Sequence, residues 1–212
     1  KETSFEANPG GSSGDYFPRT VNSNWSYQYD GNPNDSLFIT VISPTVTVGG
    51  NTYSVFIQTA DATKGYDSSG DYRRNGGDYY EWTDVGSFLG FSGSQWSEVN
   101  FLKDNLAAGG TWTSQGYTGS VQGVGTVTIR LRNTILQKDV PVTVNSIRFD
   151  STIVVEQRLE QNSGGNWVDL SQAVGSLRSY YAKNIGLVQQ ELYNGSGTLS
   201  SQMQIRRYQV IK

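Results

Sequence analysis

Residues Ser179 to Val210 read SYYAKNIGLVQQELYNGSGTLSSQMQIRRYQV. Two extended runs, 187–192 and 202–206, flank the segment Asn194 to Gly197 (NGSG), and the second run alternates between polar and apolar side chains. Alternation with a period of two is typical of β-strands, and a short Gly-rich connection favours a tight turn. The sequence therefore predicts a β-hairpin at the end of the chain.

Strand signals continue toward the N-terminus. Trp25, Tyr27 and Tyr29 alternate with polar residues, which predicts a strand with one aromatic face. Turn residues separate this run from the next ones, so the order of strand, turn and strand indicates an antiparallel meander. We count roughly nine or ten strands in all. The other long candidates are Leu37 to Ile42, Thr52 to Thr59, Tyr79 to Thr83, Val124 to Leu136 and Ile147 to Leu159.

Two segments are candidates for helix. In SEVNFLKDNLAA (Ser97 to Ala108), Val99, Leu102 and Leu106 would share one face, a serine can cap the start, and two glycines follow the end. The alternative for this segment is a loop that crosses the mouth of the sheet. Asp169 to Ser176 is compatible with a single helical turn.

Composition excludes several kinds of chemistry. The 212 residues contain no cysteine and no histidine, so the chain has no thiolate nucleophile, no Ser-His-Asp triad and no Cys- or His-ligated metal site. The formal net charge is −3 and no long basic run is present, which argues against nucleic-acid binding. Charged residues make up 17%, below the roughly 25% of an average domain, and tyrosine and polar uncharged residues are abundant. This balance is typical of exported β proteins.

The N-terminal segment 1–14 (KETSFEANPGGSSG) differs from the rest of the chain. It is polar, rich in Gly and Ser, and lacks periodicity, so we expect a flexible tether followed by one domain, 15–212. No stretch is apolar for long enough to span a membrane as a helix.

Three motifs resemble a family of bacterial envelope lipoproteins of unknown function. Tyr180 to Val188 is similar to a pattern Y-A-x-x-x-G-L-V near the end of the family's members. Tyr16 to Arg19 together with Trp25 to Tyr27 resembles their opening motif, although Arg19 replaces an apolar residue and a usual glycine is missing. Gly109 to Thr113 (GGTWT) is similar to a mid-chain turn. The likeness covers most of 15–212.

The resemblance implies a LolA/LolB-like β half-barrel. It also implies export to the periplasm or the outer-membrane surface of a Gram-negative bacterium, and an N-terminal lipid anchor on a cysteine outside this chain. Trp25 and Trp112 fall in the shared motifs, so we expect both in the core.

Paired carboxylates and cation loops are weakly represented. A glycosidase needs two facing carboxyl groups, but Asp78 and Glu81 lie three apart and would face opposite sides of a strand. Asp61, Asp67 and Asp71 belong to a segment, 61–78, expected to be a loop or irregular hairpin. The Asp30-x-Asn32-x-Asn34 pattern lacks the glycine and glutamate of a calcium loop and favours a turn. We therefore predict no cofactor, no metal and no enzymatic activity.

An aromatic cluster is the remaining functional signal. Its members lie among several glycines within residues 79–96, and such a patch can stack on a sugar, line an apolar pocket, or form a small core under a loop. The candidate ligand-binding residues are Tyr79, Tyr80, Trp82, Phe88, Phe91 and Trp96.

Taken together, these signals predict a mostly β domain made of a single antiparallel, strongly curved sheet, with one or two short helices. The leading functional hypothesis is a non-enzymatic, lipid-anchored envelope protein whose concave face holds an apolar or amphipathic ligand, such as a lipid, or a protein partner. The alternative is a cell-surface glycan-binding module that uses the aromatic cluster. A glycosidase is a third hypothesis.

Overall fold

The computed structural model describes residues 14–59 and 68–212. These residues form one antiparallel sheet of 14 strands with two four-residue helices, which confirms the predicted fold class. The strands are β1 Asn24–Tyr29, β2 Asn32–Val48, β3 Asn51–Thr59, β4 Ser68–Asn75, β5 Asp78–Asp84, β6 Trp96–Lys103, β7 Thr111–Thr113, β8 Tyr117–Val121, β9 Gly125–Val144, β10 Ile147–Ser163, β11 Asn166–Asp169, β12 Ser176–Ala182, β13 Gly186–Tyr193 and β14 Leu199–Gln209. The helices are α1 Val85–Phe88 and α2 Ser171–Val174.

The strand order is β6-β5-β4-β3-β2-β1-β14-β13-β12-β10-β9-β7, with β8 added to β9 and β11 added to β10. The first strand of the chain therefore pairs with the last, and the sheet grows from that pair toward both edges. The predicted closing hairpin is confirmed as β13 and β14, which pair from Gln189 with Gln204 to Tyr193 with Leu199. The helical turn expected in 169–176 is also confirmed, as α2.

The two edges of the curled sheet pack against each other without forming a ladder. A buried cluster joins Tyr79 and Leu102, from the β5 and β6 edge, to Trp112 and Ile135 from the other edge. The indole N–H of Trp112 donates to the backbone oxygen of Asn100 at 2.9 Å. Side chains therefore hold this seam, which we define as the boundary between β6 and β7. Trp25 and Trp112 are 4% and 9% exposed, as predicted for core residues.

The helix expected over 97–108 is wrong, because the segment forms β6 and a following turn. The cause is a β-bulge. Tyr79 pairs with Leu102 while Tyr80 pairs with Asn100, so Phe101 is an extra residue in the ladder. One extra residue changes which side chains face inward. Val99 and Leu102 are both buried as a result, and their spacing of three imitates a helical period.

The strand count was also too low. The missed strands include β7, β8 and β11, each of five residues or fewer, which is too short for an alternation signal to stand out. Another missed strand, β4, lies in the Asp- and Gly-rich segment that was expected to be a loop or irregular hairpin. The predicted tether lies almost entirely outside the described residues, as do Asp61 and Asp67.

Candidate ligand cavity

The concave side of the sheet encloses a cavity of about 380 Å³. Its lining comes from both halves of the sheet, because side chains of β1 to β6 and of β9, β10 and β12 to β14 all reach it. Aromatic rings dominate the apolar part of the wall. They include Phe17, Trp25, Phe56, Tyr72, Phe101 and Tyr181.

The aromatic face predicted for β1 forms one part of this wall. Trp25, Tyr27 and Tyr29 all line the cavity, as the alternation of the strand requires. The indole N–H of Trp25 donates to the backbone oxygen of Ile185 at 2.7 Å, and the Tyr27 hydroxyl donates to that of Leu187 at 2.8 Å. Burial raises the pKa of the Tyr27 hydroxyl, so it remains a neutral donor.

Phe17 lies between the walls. Its ring centroid is 4.9 Å from that of Tyr72, 5.1 Å from that of Phe101 and 5.3 Å from that of Phe56. Tyr181, on the far wall, is 6.4 Å away. Aromatic pairs at these separations attract one another beyond their buried area. One side chain that precedes β1 therefore connects β3, β4, β6 and β12.

A buried hydrogen-bond network positions the segment that carries Phe17. The neighbouring Tyr16 donates its backbone N–H to the hydroxyl of Tyr79 at 3.0 Å, and that hydroxyl donates to a carboxylate oxygen of Asp104 at 2.8 Å. Arg74 forms an ion pair with the same carboxylate at 2.8 Å. Burial raises the pKa of Tyr16 to about 12. The network fixes the backbone next to Phe17 and so fixes the ring in the cavity.

Polar side chains line another part of the wall. Gln157 donates its amide to the Asn133 oxygen at 3.2 Å, and Gln190 donates to the Ser179 hydroxyl at the same distance. Asn133 is buried, and its Nδ2 has no acceptor among the residues that the structure describes. A buried donor without an acceptor is costly, and Asn133 is one of eight residues with such an unpartnered buried side-chain atom in the described part of the chain.

Glu81 places a carboxyl group in the cavity lining. The hydroxyl of Tyr72 donates to its Oε1 at 3.0 Å. Burial raises the pKa of Glu81 to about 6, the negative charge of Asp71 adds to this, and the Tyr72 hydrogen bond opposes it in part. Within the described part of the chain, neither lysine nor arginine forms an ion pair with Glu81. As the pH rises through about 6, the Glu81 carboxyl group therefore loses its proton and becomes negatively charged.

The six residues of the predicted aromatic cluster are divided among three places. Tyr79 is fully buried in the core at the seam, and Phe91 packs against the core cluster around Tyr117 and Val127. Phe88, which ends α1, lines the cavity with 56% of its surface exposed. The remaining three, Tyr80, Trp82 and Trp96, lie on the convex face. Tyr80 and Trp82 face outward because side chains alternate along β5, where Tyr79 and Glu81 face inward.

The convex-face aromatics form a small platform. Trp82 and Trp96 are nearly parallel, with an interplanar angle of 23° and a centroid distance of 6.4 Å, and Trp96 is 59% exposed. The guanidinium of Arg73 covers the ring of Tyr80 at 4.2 Å, and Arg73 is held by Glu98. We call Tyr80, Trp82 and Trp96 the outer platform.

The acidic residues considered for hydrolysis do not converge. Asp78 accepts hydrogen bonds from Lys103 and Tyr80, whereas Glu81 faces the cavity, so the two lie on opposite faces as predicted. Asp71 pairs opposite Trp82 on the outer side of β4. Within 14–59 and 68–212, no three side chains of His, Cys, Asp or Glu are arranged to hold a metal ion.

The calcium-like pattern begins in the turn between β1 and β2, and its Asn32 and Asn34 lie in β2. Asp30 accepts hydrogen bonds from the backbone N–H of Gln202 at 2.7 Å and from the hydroxyl of Ser201 at 3.1 Å, so its carboxylate binds the neighbouring strand β14. Among the described residues, no helix has the length and hydrophobicity needed to span a bilayer.

Sequence reasoning missed most of the cavity lining. The inward position of Tyr72 could not be read from β4, where the surrounding residues are polar. For Glu81 a signal existed, because it lies two residues from Tyr79 on the same face of β5.

Two solved structures share this fold. The first is a candidate lipoprotein from Parabacteroides distasonis, with a TM-score of 0.58 and 13% identity over 93% of this chain and 100% of that chain. The second is a candidate exported protein with a YmcC-like fold from Bacteroides fragilis, with a TM-score of 0.56 and 17% identity over 92% of this chain and 99% of that one. No protein-family profile and no curated protein sequence matches the chain.

Proposed function

We propose that this chain is a non-enzymatic exported protein that holds an amphipathic ligand in the concave cavity. The observation that carries the proposal is a cavity of about 380 Å³ whose largely aromatic wall also contains the polar side chains of Gln157, Gln190 and Glu81. This volume lies within the range of small-molecule sites, which are mostly apolar with a few placed polar groups. A wholly apolar ligand would leave the polar part of the wall without partners, whereas an amphipathic one can pair with Gln157, Gln190 and Glu81.

Export is supported by the fold neighbours, which are described as a candidate lipoprotein and a candidate exported protein. The resemblance to LolA/LolB-like half-barrels agrees with a concave site for a lipid-like molecule. On this proposal the protein acts in the periplasm or at the outer-membrane surface, anchored by a lipid on a residue outside this chain. The absence of histidine and cysteine from the sequence supports a binding role over catalysis.

Native mass spectrometry after incubation with an envelope lipid extract tests the proposal. We expect a retained lipid mass on the wild-type chain and its loss in Leu177→Trp, which places a larger ring at the cavity wall. Val168→Trp, at an exposed position on β11, is the matched control and should retain the mass. Equal retention by both variants, or no retained mass on the wild type, would contradict a ligand in this cavity.

The outer platform favours a second candidate function, a glycan-binding module. Paired, solvent-accessible indole rings offer the apolar faces on which sugar rings stack, and Trp82 and Trp96 provide such a pair. Alanine at both positions should abolish retention on a glycan array, while Tyr208→Ala, another exposed aromatic position, should not. Unchanged retention in the double variant would exclude the platform as the glycan site.

A further inference from the structure

Glu81, which is half-buried, differs in its partners from three fully buried acids, and also from Glu191, which three neutral side chains hydrogen-bond. Glu156 is paired with Arg158 and Arg178, and Glu160 with Arg130 and Arg132. In the same way Asp104 is paired with Arg74. Burial of a carboxylate is strongly unfavourable unless a cation or several donors compensate it. The fold supplies an arginine to each of these three acids.

Glu81 has no such compensation among the described residues. The one hydrogen bond to it comes from the neutral hydroxyl of Tyr72, and its ladder neighbour on β6 is the apolar Val99. The charge that acts on it from β4 is Asp71, which has the same sign, and the titratable group that faces it from β12 is the neutral Tyr181. A positive charge is what this position lacks.

The cavity around Glu81 is suited to that charge. Tyr72, Phe56, Phe101 and Phe17 form a continuous set of ring contacts, with centroids 4.8 to 5.8 Å apart. The faces of aromatic rings attract cations, and enclosed aromatic cages are a general means of binding organic ammonium groups. A carboxylate at one point of such a cage adds a direct ion pair to the attraction of the rings.

We propose that the cavity selects amphipathic molecules whose polar end is an organic ammonium group, with Glu81 as its counter-ion and the surrounding rings as its cage. This inference rests on the function proposed above and specifies the class of ligand. The apolar body of the ligand lies along the aromatic wall, and the ammonium group takes the place that an arginine takes at Glu156 and Glu160.

Three probes of similar chain length test the inference, because their head groups carry a positive charge, no charge and a negative charge respectively: octyltrimethylammonium, octanol and octanoate. Isothermal titration calorimetry of the wild-type chain at pH 7.5 should show the ammonium probe binding tightest and octanoate weakest. In Glu81→Gln, which retains the Tyr72 hydrogen bond, ammonium affinity should fall about tenfold or more while octanol affinity is unchanged. Asp150→Asn, at an exposed acid, should match the wild type.

A pH titration of the wild type gives a second readout that needs no variant. Ammonium affinity should fall as the pH drops below about 6 and Glu81 takes up a proton, while octanol affinity stays constant. The Tyr72 and Tyr181 hydroxyls face the same region and stay neutral throughout this range, whereas Asp71 acts on Glu81 through its charge from the outer side of β4.

The outcomes separate the two proposals. If octanol or octanoate binds as tightly as the ammonium probe, or if Glu81→Gln leaves ammonium binding unchanged, the inference is overturned and the amphipathic cavity stands. If none of the three probes binds, the cavity function itself is contradicted.

Discussion

Glu81 shows at the scale of one residue how a half-buried carboxyl group, unpaired among the described residues, lowers the stability of the fold at neutral pH. Its pKa of about 6 lies above the usual glutamate value of 4.5, so the folded chain binds this proton more tightly than the unfolded chain does. Protonated Glu81 therefore stabilises the folded chain fully below about pH 4.5, and this contribution is lost as the pH rises through 6. A shift of this size corresponds to about 2 kcal/mol at neutral pH.

We therefore expect Glu81→Gln to be more stable than the wild type at pH 7.5, by about 2 kcal/mol. The difference should shrink toward zero near pH 4, where Glu81 is protonated in both folded and unfolded chains. Urea denaturation at the two pH values measures it. A variant that is less stable than the wild type at pH 7.5 would show that the carboxylate is compensated in the folded protein, in conflict with its assigned role.

At the scale of elements, the seam between β6 and β7 is the distinctive feature. Trp112 reaches across it with an N–H···O bond of 2.9 Å to Asn100, and Gln115 with a bond of 3.2 Å to the Ser97 hydroxyl, so side-chain hydrogen bonds join edges that share no ladder. Trp112→Phe keeps most of the ring but leaves a backbone oxygen without its donor. We expect a loss of about 1–3 kcal/mol in the free energy of unfolding and faster amide hydrogen exchange in β6.

Trp167→Phe is the matched control for this prediction. Trp167 lies on β11, its ring contact is with Arg130 at 4.2 Å, and it makes no hydrogen bond across the seam among the described residues. Replacement of this indole by a phenyl ring should change the free energy of unfolding by less than about 1 kcal/mol. Equal effects of the two substitutions, or unchanged exchange in β6, would show that the edges are held by general packing.

The elements also show what a sequence can predict in a curled sheet. The closing hairpin and the aromatic face of β1 were predictable because alternation and turn chemistry are local signals. The strand β6 was not, because the bulge at Phe101 depends on pairing with β5. Of the cavity lining, the candidate residue Phe88 and the aromatic face of β1 could be read from the sequence. The contacts of Glu81 with Tyr72 and of Asn133 with Gln157 depend on the register between paired strands, and a local sequence pattern does not predict that register.

At the scale of the whole molecule, Phe17 joins walls that the strand order keeps far apart. β3 and β4 lie on one side of the central β1–β14 pair and β12 on the other, yet Phe17 contacts Phe56, Tyr72 and Tyr181. The curvature of the sheet and the size of the cavity are thus coupled to one ring outside the sheet.

Phe17→Ala should therefore have two effects. Removal of a packed ring should lower the free energy of unfolding by about 3 kcal/mol, and the enlarged cavity should accept longer alkyl chains. Native mass spectrometry with a series of alkyltrimethylammonium or alkanol probes of increasing length measures the second effect, after denaturation has shown that the variant is folded at the working temperature. Tyr208→Ala, at an exposed ring on β14, is the control and should leave the preferred chain length unchanged. If Phe17→Ala shows the same preferred length as this control, Phe17 does not limit the cavity, and the sheet alone sets its size.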